Sequence, residues 1–257
     1  MSYGIYIGRN HTADGIAYLA GYGDEPSSHW LEIHPAQDHP ADASIAVGVT
    51  PQADMPGHRI DIPQARQTAR NMRVNYSYYL GIPGPLTNGG LNEHGVAVRD
   101  IWSTSRADLI AMTPKDQTGP NYSDLARIVV ERAKTARDGV NMIGALIAEH
   151  GYSTYGGNSH MIADPDDFLF PDHFFDTAIE QGWYDPASGA FDVNAVYGDG
   201  KQRWAGVKWI EGALRERSTR VGKITLEDVF WSISSERLTG DTAGYGQVVP
   251  LTHPEHS

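Results

Sequence analysis

Of the chain's 257 residues, 40% are hydrophobic and 20% charged, the make-up of a folded globular chain, and no apolar run approaches the roughly 20 residues that span a bilayer. With 32 acidic against 20 basic side chains, the net charge of −12 would repel a phosphate backbone and argues against nucleic acid as a partner. Cysteine is absent, which excludes disulfides, thiolate metal sites and a cysteine nucleophile, so any nucleophile must be an oxygen or an amine.

The N-terminus carries neither a basic n-region nor an apolar stretch before a cleavage site, so the expectation is a soluble cytoplasmic protein with no membrane partner. Residues 3–8 alternate Tyr3, Ile5 and Ile7 on one face. A turn-rich Arg9-Asn10-His11-Thr12-Ala13-Asp14-Gly15 follows, and Ile16 to Ala20 then predicts the return arm of a hairpin. His29–His34, Ile45–Val49 and Arg73–Leu80 predict further strands separated by proline-rich loops. Gly81-Ile82-Pro83-Gly84-Pro85, followed by Asn88-Gly89-Gly90, lacks the Gly-Lys-Ser/Thr ending of a phosphate loop and predicts a substrate-side loop or a plain turn. Asn92-Glu93-His94-Gly95 predicts a tight turn feeding a buried strand through Val96, Ala97 and Val98.

Helical spacing begins after residue 120. Ser123 can cap a helix carrying Leu125, Ile128, Val129 and Ala133, and Asp138 can begin a second one that stops at Gly151. Ser159–Ala163 predicts a strand. Helical patterns resume at about 172–181, 201–216 and 226–236, the last opened by Thr225 with Asp228 three residues on. Gly240 to Ser257 reads as loop. The whole, residues 1–257, is expected to be a single domain.

Ser2 is the sharpest chemical feature. Removal of Met1, favoured when the second residue is small, leaves a serine whose own α-amine can take the hydroxyl proton directly or through one water, and the strand behind it fixes its position. A serine after methionine is also commonplace. His29, His34 and His39 are spaced by five, which neither a helix nor a strand face presents together, so neither a metal nor another cofactor is expected. Tyr76, Tyr78 and Tyr79 fit a core stripe better than a pocket lining.

Ser2-Tyr3-Gly4-Ile5-Tyr6-Ile7-Gly8 with Thr12-Ala13-Asp14-Gly15 resembles the opening of the dipeptidase A family of N-terminal nucleophile hydrolases, in which cysteine usually stands where this chain has Ser2. Further blocks resemble the same family in the same order: Gly23-Asp24-Glu25-Pro26-Ser27-Ser28-His29-Trp30, Asn88-Gly89-Gly90-Leu91-Asn92-Glu93-His94-Gly95, Tyr155-Gly156-Gly157-Asn158-Ser159-His160 and Gly240-Asp241-Thr242-Ala243-Gly244-Tyr245-Gly246-Gln247. The resemblance implies an α+β fold of αββα sandwich type and a dipeptidase that cleaves a small peptide or amide substrate through an acyl ester on Ser2. It also implies a hydrogen bond from the N-terminal amine to Asp24, where a solvated turn aspartate is the alternative. Asn92 is a candidate amide donor to the oxyanion, although Asn-Glu-His-Gly is equally good turn chemistry. Relatives often carry an arginine just before the acid, where this chain has Gly21 or Tyr22. The chain is also shorter than the family between Asp164 and Phe175, which implies an incomplete sheet. An acylase acting on N-acyl amino acids or secondary metabolites, or a shortened non-catalytic binding module, are the alternative functions.

Overall fold

Period-two alternation at the N-terminus builds the first arm of a small sheet. The computed structural model describes residues 2–23, 27–102, 104–156, 158–169, 174–189, 191–199, 205–220, 223–239 and 245–253. In it β1 (Tyr3–Ile7) and β2 (Ala17–Gly23) form the expected antiparallel hairpin, with Tyr3 opposite Tyr22 and Ile7 opposite Tyr18. The larger sheet contains β3 (His29–His34), β4 (Asn71–Tyr79), β5 (Ile82–Asn92), β6 (Ala97–Trp102), β7 (Asn158–Ala163) and the two-residue β8 (Phe168–Leu169), in the spatial order β8-β7-β6-β5-β4-β3. The chain closes on β9 (Tyr245–Leu251), which pairs with β2 and gives the small sheet the order β1-β2-β9.

Two expectations are corrected here. The segment read as a substrate-side loop or a plain turn keeps a turn only at Leu80–Gly81 and from Ile82 onward is β5, a central strand; its irregularity is absorbed by register shifts against β4 between Arg73 and Asn75 and between Tyr76 and Tyr78. Its glycines are needed for close approach, because a Cβ on Gly89 or Gly90 would run into the carbonyl oxygen of Val98 or Met72. The tail read as loop contains β9, an edge strand, where Pro250 costs no ladder bond if its nitrogen faces outward.

The helices follow the predicted spacing: α1 (Tyr122–Arg132), α2 (Ala136–His150), α3 (Ala205–Arg220) and α4 (Leu226–Ser234). The cap of α1 is Asn121 rather than Ser123; Asn121 and Asp124 form a reciprocal capping box, while the Ser123 hydroxyl accepts the Thr87 N–H at 2.7 Å. Gly151, at φ 84°, ends α2 as expected. Thr225 and Asp228 form the capping box predicted for α4. Thr225→Ala is expected to cost about 1 kcal/mol, read as a lower urea midpoint at unchanged slope.

Four layers result, each interface with its own core. Tyr3, Ile7, Tyr18, Ala20 and Tyr22 pack against Ile210, Leu214, Val229 and Ile233 of α3 and α4. Ala17, Leu19, Val249 and Leu251, on the opposite face of the small sheet, meet Ala97, Met161 and Ala163 of the large one. Val96, Val98 and Ile162 then pack against Leu125, Ile128, Val129 and Ile143 of α1 and α2. The arrangement is helices, three-stranded sheet, six-stranded sheet, helices, an αββα sandwich of unequal sheets. Among the described residues no helix is long and apolar enough to cross a membrane.

Candidate active site

The alternation of β1 determines where Ser2 points. Tyr3, Ile5 and Ile7 belong to the helix-side core and Tyr6 to the inter-sheet core. Carried one residue back, the pattern puts Ser2 on the inter-sheet face. Ser2 is half-buried and lies one step beyond the Tyr3–Tyr22 pair, level with Gly23 and Tyr245. The strand behind it is firmly held: Tyr3 stacks on Tyr22 with ring centroids 5.6 Å apart and its hydroxyl donates to the Ser232 carbonyl at 3.1 Å. Burial pushes the Tyr3 phenol well above the usual range, so it stays neutral and does not compete as a base near neutral pH.

Further inside, the same face runs Gly4–Gly21–Gln247 across the three strands. The two glycines leave room for side chains from the opposite sheet. A Cβ on Gly4 would overlap the Met161 sulfur and approach Ile101 Cδ1 to 3.2 Å; a Cβ on Gly21 would overlap Arg99 Nε, with Arg99 Cδ at 3.0 Å and Cγ at 3.1 Å. Arg99, on β6, is only 2% exposed. Ser159, paired with Ile101 and two residues outward from Met161 on β7, brings a hydroxyl to this end by the same alternation.

The other residues singled out in the sequence are dispersed. Asp24 lies outside the described residues. Asn92 is buried at the end of β5, leading into the turn, where its Nδ2 donates to the carbonyls of Val130 at 3.1 Å and Ala133 at 2.7 Å, and its Oδ1 accepts the N–H groups of His94 and Val96, each at 3.0 Å. It is not brought to Ser2. A Cβ on neighbouring Gly95 would stand 3.1 Å from the Thr252 oxygen, so the turn abuts the far end of β9, seven residues from the level of Ser2, or roughly 20 Å. The block Asn158-Ser159-His160 is largely structural: Asn158 Nδ2 donates to Asp100 at 2.7 Å, and the His160 ring lies 2.9 Å from the Tyr122 carbonyl at the start of α1.

His29, His34 and His39 diverge, towards Tyr76, Glu32 and Thr68 respectively. Among the described residues no group of three or more histidines or carboxylates converges to hold a metal. A groove of about 670 Å³ runs along the open edge of β1, between Gly4–Gly8 and α3; neither Ser2 nor Arg99 lines it.

The model of peptidase family C69 matches residues 4–173. Probable dipeptidase B of two strains of Streptococcus pyogenes serotype M3 is 29% identical over 174 residues, covering 63% of this chain and 31% of that protein. The chain thus spans about a third of the length of these curated relatives. Among solved structures, a mutant and a variant of the conjugated bile acid hydrolase from Clostridium perfringens each align over 93% of this chain and 79% of theirs, at 10% identity and TM-scores of 0.43 and 0.44.

Proposed function

The chain belongs to peptidase family C69, and from that premise we propose that it hydrolyses amide bonds as a dipeptidase, with Ser2 as an N-terminal nucleophile exposed by removal of Met1. The observation that carries this reading is the position of Ser2, half-buried at the head of a strand pinned by Tyr3, where the alternation of that strand favours the inter-sheet face.

The α-amine of residue 2 takes the hydroxyl proton as Oγ adds to the amide carbon. It returns the proton to the leaving nitrogen as the C–N bond breaks, leaving an acyl ester on Ser2. Water, deprotonated by the same amine, then adds to the ester, and the amine returns that proton to Oγ as the C–Oγ bond breaks, releasing the acid and restoring the Ser2 hydroxyl. Asp24 is proposed to hold the ammonium form by hydrogen bonding. Burial favours the neutral amine and Asp24 opposes it.

The intact mass of the purified protein tests the premise of a free Ser2 and should be short by one methionine; retention of Met1 favours the binding-module alternative. On a cleaved dipeptide, kcat/KM should rise with pH through one titration near or somewhat below the roughly 7.7–8.0 of an ordinary terminal amine, because only the neutral amine accepts a proton. Excess chelator should leave the profile unchanged. Activity lost to chelator and restored by zinc or manganese would indicate a metallopeptidase.

A further inference from the structure

The two sheets of the sandwich have three strands and six, and the difference falls on one side. Cross-strand pairing aligns Phe168, Ala163, Ala97, Leu91, Met72 and Ile33 in a single row across the large sheet, and paired residues share a face. The first four belong to the inter-sheet core. The small sheet then stops at β9, where Pro250 lines a groove of about 460 Å³ together with Leu91, Met72 and Ile33. Beyond it the row comes into the open: Ile33 is 71% exposed, and Leu31, two residues along β3 on the same face and paired with Val74, is 55% exposed. The strand is the reverse of an ordinary edge strand. Its polar residues are the better covered ones, Glu32 accepting from Trp30 Nε1 at 2.8 Å and from Asn75 Nδ2 at 2.7 Å, while its apolar residues are left bare. An apolar sheet face exposed in this way marks a surface for association.

We propose that a second copy of this chain covers it, the overhang of β3 and β4 packing face to face on its own counterpart about a two-fold axis. The space beside β9 is one sheet layer deep, about 10 Å, so each overhang sits in the layer where its partner's small sheet stops. The rim of the groove carries Arg70 and Glu93, one charge of each sign, which a two-fold axis sets against each other; a partner of a single charge sign gains nothing there. A peptide strand added to β9 is a poorer occupant, because Pro250 has no N–H to offer it, whereas sheet packing works through side chains alone. Two strands of about six residues present a face of roughly 10 by 20 Å. With the flanking groove, the two copies together bury on the order of 1,000 Å², the lower end for a specific interface, so the dimer is weak, with a Kd on the order of 10–100 µM.

The test is sedimentation equilibrium from about 1 to 300 µM in about 0.15 M salt, where repulsion between two chains of charge −12 is screened. Wild-type protein should pass from monomer towards dimer and go no further. Ile33→Glu places a charge in the centre of the contact at a position exposed in the single chain, so it should fold normally and weaken association roughly tenfold or more. Leu31→Lys should do the same, and it decides the matter should Ile33→Glu not fold. Phe230→Glu puts the same charge on an apolar residue of α4 that is 53% exposed in the outer helical layer, and it should associate as wild type does. Ser2→Ala should also associate normally, so the result is independent of the chemistry at Ser2. A wild-type chain that stays monomeric throughout overturns the proposal and leaves the face to a different partner. Wild-type association in folded Ile33→Glu, or in Leu31→Lys where Ile33→Glu cannot be obtained, overturns it as well, and so does association that continues past two copies.

Discussion

Ser2→Ala is expected to reduce amide hydrolysis by roughly 10⁴-fold or more, since no covalent intermediate can form without the hydroxyl, while the melting temperature stays within about a degree of wild type. The fold is insensitive for a specific reason. The head of β1 is held by the Tyr3–Tyr22 stack, the Tyr3 hydroxyl on Ser232 and the β1–β2 register, and none of these uses the side chain at position 2. Alanine is also small enough to preserve removal of Met1, so the variant tests the hydroxyl and not the processing. Ser2→Cys should keep measurable turnover, because a thiol is the better nucleophile and forms a thioester where serine forms an ester. Release of free amino acids from a dipeptide panel measures all three proteins. Undiminished turnover in Ser2→Ala would remove the central claim.

Legibility of this fold in the sequence follows how local each cause is. The first hairpin could be read because Tyr3, Ile5 and Ile7 alternate and Gly15, at φ 74°, supplies the turn. The capping box of α4 and the stop of α2 at Gly151 were equally local. β5 was not legible: its prolines and glycines read as breakers, and the glycines are explained only by the carbonyls of Val98 and Met72 on the neighbouring strands. β9 was missed because its partner β2 lies more than 200 residues earlier in the chain. Ser2, the proposed nucleophile, is singled out by chemistry alone. The inward face of β6 is local too, since Arg99 alternates with Ala97 and Ile101 along that strand. What the sequence does not display is the gap at Gly21 on another sheet that receives it.

Asn92→Ala separates the two readings of that residue and should act on stability. Val130 and Ala133 lie at the C-terminal end of α1, where helix carbonyls lack intrahelical partners; Asn92 Nδ2 satisfies both while its Oδ1 takes the N–H groups of His94 and Val96. Removing the side chain leaves buried polar groups unpaired at about 1–3 kcal/mol each. Partial relaxation brings the expected total to about 4 kcal/mol, or roughly 10 °C in melting temperature for a chain of this size. Asn92→Asp should do no better. A carboxylate keeps the acceptor for His94 and Val96 but turns its other oxygen on two carbonyls at the negative end of a helix. The turnover of whatever fraction stays folded should match wild type, because Asn92 sits roughly 20 Å from Ser2 along the sheets. An oxyanion donor would behave in the opposite way, with kcat reduced by about 10²–10³ at an unchanged melting temperature, and that result would return Asn92 to the catalytic machinery.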